Sequence, residues 1–113
     1  MHELTLAHRI CQTVAAHVTA TQRVVTVVLE WGPLCGVVAE AIEYCFPIAA
    51  EANGLGGARL ELRRLPARAR CSACGARFEV QEMWDGCPGC QHVPVTVEGG
   101  TEFRLKQIEV EDV

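Results

Sequence analysis

Apolar residues recur at alternating three- and four-residue steps through Leu4, Ala7, Cys11, Val14 and Val18, with Leu6 and Ile10 widening the stripe. That period predicts an amphipathic helix over residues 3–19. Thr5, Arg9, Gln12, Thr13 and Ala16 fall on the opposite, polar face. Cys11 is therefore expected as a core thiol, with His8 and His17 solvated. From Arg23 to Trp31 the period changes to two in a run dense in β-branched residues, which predicts a strand. Val25, Val27, Leu29 and Trp31 share the face expected to meet the core, and Val24, Thr26, Val28 and Glu30 share the other. Gly32-Pro33 ends the strand. A second helix is expected over 34–52, with Leu34, Val38, Ala41, Ile42, Cys45 and Ala49 as its apolar stripe. Pro47 should kink or restart it, because proline lacks an amide and clashes with the preceding turn. Asn53-Gly54 and Gly56-Gly57 terminate it.

Residues 58–65 read as a second strand, with Leu60 and Leu62 inward and Arg59, Glu61 and Arg63 outward. Pro66 stops it. Val93 to Val97 return toward Gly99-Gly100, and 101–110 form a third strand. Phe103 and Leu105 are out of phase with Ile108 and Val110, which a bulge near Lys106-Gln107 would reconcile. The order predicts an α+β fold: a three-stranded sheet with two helices on one face and a small insert between the second and third strands.

The insert carries the strongest chemical signal. Cys71-Ser72-Ala73-Cys74 and Cys87-Pro88-Gly89-Cys90 are separated by twelve residues, Gly75 to Gly86. Two C-x-x-C knuckles at this spacing can close four thiolates on one tetrahedral ion, the arrangement zinc favours. Gly75 and Gly89 are expected to supply the relaxed backbone such knuckles need. Arg77 to Gln81 alternates like a strand, and Asp85-Gly86 reads as the turn before the second knuckle. Four sulfur ligands leave no position for substrate, so the ion would be structural. Iron in a rubredoxin-like site uses the same ligands. An insert of this size cannot hold itself together by apolar burial, so metal binding would supply its folding free energy. The expected division is an α+β domain from residues 1–66 and 98–113 and a zinc-ribbon domain over 67–97.

Composition narrows the surroundings. The chain has 113 residues, half of them apolar, enough for one modest domain with an insert. Its seven cysteines are an odd number, and no signal-peptide pattern opens the chain, so a reducing cytoplasm is expected. Apolar runs are broken by Thr26, Glu30 and Glu40, short of the ~18 residues a membrane span needs, so no membrane is expected as a partner. A net charge of −4 argues against nucleic acid, which calls for a basic face. The local run Arg59, Arg63, Arg64, Arg68 and Arg70 is expected to be a solvated strand face and linker.

The opening Met1-His2-Glu3-Leu4, Gly32, the helix containing Glu43-Tyr44-Cys45-Phe46, the two C-x-x-C pairs and the closing Gly100-Thr101-Glu102-Phe103-Arg104-Leu105 carry a resemblance over the whole chain. The sequence resembles the HypA/HybF family of hydrogenase nickel-insertion proteins. The resemblance implies a nickel metallochaperone and not an enzyme, with no catalytic residues. It implies that His2 ligates Ni(II) in transit, while Cys71, Cys74, Cys87 and Cys90 hold Zn(II). The Met1 amine, the His2 amide and imidazole, and the Glu3 amide could together offer four nitrogens, a set that suits square-planar nickel. The implied partners are an accessory nickel-binding GTPase, the precursor of a [NiFe]-hydrogenase large subunit and, for some members, urease maturation proteins. No G-x-x-x-x-G-K-[ST] motif occurs in the chain, so GTP hydrolysis would belong to the partner.

Two other classes remain. A zinc-ribbon module for nucleic acid or protein interaction would bind in a salt-sensitive way and ignore the N-terminus. A thiol redox enzyme would need a reactive cysteine in one C-x-x-C pair, which tight zinc would oppose. His92 is expected to be a surface residue with at most a contact to the metal ligands.

Overall fold

The computed structural model describes residues 2–82, 85–90 and 95–113. The elements run α1 (His2–Ala16), β1 (Gln22–Trp31), α2 (Ala39–Ala52), β2 (Arg59–Arg64), β3 (Arg68–Cys71), β4 (Arg77–Glu79), β5 (Val95–Gly99) and β6 (Phe103–Asp112). Two helices accompany a three-stranded sheet of order β2-β1-β6, and a second three-stranded sheet has the order β4-β3-β5. The class is α+β. The chain divides into two compact units. One comprises Met1–Leu29, Val37–Arg63 and Arg104–Val113, and the other Glu30–Gly36 and Arg64–Phe103.

In the first unit, Ala7, Cys11 and Val14 of α1 are fully buried, following the helical period of the sequence. The helix ends in a tightened turn, where the His17 amide donates to the Val14 carbonyl at 3.0 Å. The His17 ring bonds back to the Thr13 carbonyl at 2.7 Å. α1 packs on α2.

β1 corrects one expectation. Val27 and Leu29 are buried, but so are Val24, Thr26 and Val28 on the face expected to be outward, while Val25 is exposed. Four consecutive residues, Thr26 to Leu29, are buried, so the middle of β1 is enclosed on both faces and two-residue alternation does not report its burial. The Thr26 hydroxyl is buried there without a hydrogen-bond partner among the described residues.

α2 corrects another. It starts at Ala39 rather than Leu34, because Gly36 adopts φ +86° and breaks the backbone first. Leu34 belongs to the second unit, where it packs against Ala67, Ala69 and Val80. The helix then runs through Pro47 without a restart, held by buried Ile42 and Phe46 before the proline and Ala49 and Ala50 after it. Tertiary burial outweighs the lost amide. At the C-terminal end the Asn53 side chain donates to the Ala49 carbonyl at 2.7 Å and to His8 Nδ1 at 3.2 Å.

On β2, Leu60 and Leu62 are half-buried between exposed Arg59, Glu61 and Arg63. On β6 the half-buried positions are Phe103, Leu105 and Ile108, so the phase changes after Leu105.

The second unit has a small core of Ala67, Ala69 and Val80, with Leu34 and Phe78 packed against it. β3 pairs antiparallel with β4 and β5, setting Ala69 opposite Phe78 and Val97. Backbone bonds join its separate stretches: Gly32 N–H to the Glu102 carbonyl and Leu34 N–H to the Gly100 carbonyl, both 2.7 Å, and Leu65 N–H to the Trp31 carbonyl at 2.8 Å. The chains approach so closely that a Cβ at Gly32 would lie 2.3 Å from the Gly100 carbonyl, and a Cβ at Gly100 would lie 2.3 Å from Ala67 Cβ.

Candidate metal centre

The first knuckle grows directly out of β3. Cys71 is the last residue of that strand. Its carbonyl accepts the Gly75 amide at 2.9 Å, and its own amide donates to the Ala76 carbonyl at 2.9 Å. The chain can turn back this sharply because Gly75 takes φ +76°, which a side chain would resist. Inside the turn, Cys71 Sγ accepts the amides of Ala73 at 3.4 Å and Cys74 at 3.5 Å.

Before the second knuckle, the Asp85 carboxylate accepts the amides of Gln81 at 2.9 Å and Glu82 at 3.3 Å. These bonds tie Asp85 back to the end of the preceding stretch ahead of the second knuckle. Gly89 departs from expectation. It is not among the glycines of positive φ, and a Cβ there would make an ordinary 3.7 Å contact with Cys87 Sγ. The second knuckle therefore does not depend on glycine as the first does.

The four sulfurs of Cys71, Cys74, Cys87 and Cys90 lie within 4.8 Å of one another. Cys71 and Cys90 are 3.5 Å apart, and Cys74 and Cys87 are 3.7 Å apart. Four thiolates around one zinc at about 2.3 Å would sit about 3.8 Å from one another. The donor set fits that ion. Cys71 and Cys87 are buried, while Cys74 and Cys90 are exposed.

The knuckles also prepare the sulfurs to ligate. The Cys71 thiol is lowered to about 6, first by the Cys74 amide against the opposing effect of burial, then by the Ala73 amide and the sulfurs of Cys90 and Cys74. Cys87 is lowered chiefly by the Cys90 amide. Thiolate is the metal-binding form, so these amides favour metal at neutral pH. Elsewhere, burial pushes the Cys11 thiol up to about 11, as befits an inert core residue. Among the described residues no cysteine is in a disulfide.

Outside the knuckles the sheet surface is compensated. Arg70 and Arg77 stand opposite each other, and the Glu98 carboxylate lies 3.6 Å from the first and 3.3 Å from the second. Arg63 pairs with Glu61 at 2.7 Å, and Arg64 donates to Gln81 at 2.8 Å.

Of the residues expected to handle nickel, Met1 lies outside the described residues, as does His92. His2 is exposed at the first position of α1. Glu3 is half-buried, and its carboxylate accepts the Val38 amide at 3.3 Å. That bond is the main reason its carboxyl lies below the ordinary glutamate value. No short-range sequence signal announces this contact across 35 positions.

Beside Glu3 lies a feature that the α2 periodicity concealed. Val38, Tyr44 and Ile48 are 57%, 75% and 49% exposed. With Leu4, Ala41 and Cys45 they line an apolar groove of about 530 Å³, edged by Glu3 and Glu40. The sequence signal is an apolar row at 38, 41, 45 and 48 beside the buried row at 42, 46 and 49, which the expected stripe had merged into one.

The fold and the closed four-thiolate cluster define a small metal-binding protein whose site leaves no position for substrate. A family model described as hydrogenase/urease nickel incorporation, metallochaperone, HypA matches residues 1–110. The chain is 39% identical over 111 residues to the hydrogenase maturation factor HypA of Geobacter metallireducens, covering 98% of this chain and 100% of that one. It is 41% identical over 113 residues to the factor of the same name from Albidiferax ferrireducens, with the same coverage. The solution structure of the Ni metallochaperone HypA from Helicobacter pylori shares the fold, with TM-score 0.57, 19% identity and 95% of each chain covered. The chain belongs to the HypA family of nickel metallochaperones, which are maturation factors and not enzymes. Among the described residues no helix is long and apolar enough to cross a membrane.

Proposed function

We propose that this protein carries Ni(II) at its N-terminus and delivers it to the precursor of a [NiFe]-hydrogenase large subunit, working with an accessory GTPase in the cytoplasm. Residues 1–66 and 98–113 handle the nickel, and residues 67–97 hold a structural zinc through Cys71, Cys74, Cys87 and Cys90. Membership of the family over residues 1–110, from the first residue onward, carries the proposal.

The chemistry of a helix start supports the nickel clamp. The first amides of an α-helix have no intrahelical acceptor, so the His2 and Glu3 nitrogens give up no helical bond when they turn to a metal. A helix N-terminus disfavours a bare cation. Two deprotonated amides cancel the charge of Ni(II), so a clamp of the Met1 amine, His2 imidazole and these two nitrogens is neutral. Glu3 contributes its backbone, because its carboxylate is engaged by Val38. The clamp weakens as pH falls, since the amides must lose protons to bind.

The zinc supplies a crosslink between two knuckles that a core of Ala67, Ala69 and Val80 could not hold alone. The exposed groove of α2 is the docking surface for a maturation partner, because it adjoins Glu3 and so sits beside the cargo.

The test is calorimetric titration of Ni(II) into untagged protein, into His2→Ala and into protein extended before Met1. Both changes should abolish the strong nickel event while zinc content stays constant. Parent-like nickel binding in both would overturn the clamp.

A further inference from the structure

We propose that the four-cysteine cluster is a modification site for hydroperoxides, in which oxidation joins Cys71 to Cys90 and Cys74 to Cys87 across the two knuckles and releases the metal. The proposal rests on the assignment of zinc to these four sulfurs.

The cluster is half open. Cys74 and Cys90 are exposed, and Cys71 and Cys87 are buried behind them. Peroxide therefore meets the second cysteine of each knuckle first. Each exposed sulfur has a buried sulfur of the other knuckle within reach, Cys90 at 3.5 Å from Cys71 and Cys74 at 3.7 Å from Cys87. Closing to a disulfide bond of about 2.05 Å is a short movement for side chains on turns. Within its own knuckle, Cys71 Sγ is already engaged by the Ala73 and Cys74 amides.

The steps balance. The Cys90 thiolate takes the terminal oxygen of the peroxide: an S–O bond forms, the O–O bond breaks, and the departing hydroxide leaves as water with one proton. The sulfur is oxidised by two electrons to the sulfenic level. The Cys71 thiolate then attacks that sulfur: an S–S bond forms, the S–O bond breaks, and the second hydroxide leaves as water with another proton. The same sequence joins Cys74 to Cys87 with a second peroxide. Disulfide sulfurs no longer ligate, so the ion departs, and thiol reductants restore the site.

The remaining cysteines do not compete on the same terms. Cys11 is fully buried, and Cys35 and Cys45 are half-buried outside the cluster.

Trypsin separates the possible pairings. Cleavage after Arg70 and Arg77 frees a peptide holding Cys71 and Cys74, and cleavage after Arg77 and Arg104 frees one holding Cys87 and Cys90. Purified protein is first shown to hold one zinc per chain, since failure there refutes the zinc assignment and not the oxidation. It is then treated with hydrogen peroxide, zinc release is followed with a chromogenic chelator, remaining thiols are blocked, and the unreduced digest is read by mass spectrometry. The expected result is stoichiometric zinc release with the two peptides linked, fragment ions joining Cys71 to Cys90 and Cys74 to Cys87, and reversal by dithiothreitol. Separate peptides each carrying an internal disulfide, links in any other pairing, or zinc retained through the oxidation would overturn the proposal.

Discussion

The carboxylate of Glu3 accepts the backbone amide of Val38 at 3.3 Å, tying the start of α1 to the N-cap of α2. Val38 has no side-chain cap of its own. A carboxylate from another helix thus does what the fourth residue of a capping box does within one. The bond holds the Glu3 carboxyl below its ordinary value of 4.5. Its stabilising effect is complete above that ordinary value and is lost as pH falls through the depressed one. Glu3→Gln should therefore flatten the acid limb of the thermal-melting profile below pH 4.5 and leave the neutral-pH nickel affinity close to parent. A loss of nickel binding comparable to His2→Ala would instead place the carboxylate on the metal.

Phe46 and Tyr44, two positions apart on α2, should separate stability from partner binding. Phe46 is 2% exposed, so Phe46→Ala should cost about 3–5 kcal/mol in urea unfolding. Tyr44→Ala, at an exposed position, should stay within about 0.5 kcal/mol of parent and yet weaken capture of the proposed accessory GTPase. Undiminished capture by the folded Tyr44 variant would remove the groove from the docking surface.

Thr26 offers a gain. Its hydroxyl is buried in β1 without a partner among the described residues. Thr26→Val should raise the unfolding free energy by about 1 kcal/mol by removing an unpaid desolvation penalty. A destabilised variant would mean that the hydroxyl finds an acceptor in solution.

Metal removal should act on one unit. Cys71 favours its thiolate above about pH 6, so protons compete for the sulfurs increasingly as pH drops below that point, and the metal should be lost on the acid side. After chelation at neutral pH, hydrogen exchange should show β3 and β5 losing protection while α1 and α2 keep theirs. Equal loss in both units would make the ion a support for the whole chain.

Much of this was legible in the residues. The period of Ala7, Cys11 and Val14 located α1, and the knuckle spacing brought out the four cysteines without any structure. What misled was local resemblance between competing signals. Leu34 and Val38 continue the spacing of the α2 stripe backward, yet Gly36 at φ +86° stops the helix and sends Leu34 to the other unit. Alternation along β1 could not reveal a strand enclosed on both faces. The bond between Glu3 and Val38 spans too much sequence for any window to register. The nickel residues proposed at the chain start came into view only through the family resemblance, because a histidine at position 2 has no periodicity to mark it.

The meeting of Gly32, Gly100 and Ala67 bears on whether the cysteine-bearing part can be moved elsewhere. A peptide of residues 67–97 would carry all four ligands but would omit Leu34, which packs on its core, and Gly32 and Gly100, which clasp it. The knuckles are thus not a cassette to be excised and grafted onto another host. Any transplant must bring two separate lengths of chain, Glu30–Gly36 and Arg64–Phe103, and an added methyl at either glycine would spoil the graft as surely as a missing cysteine.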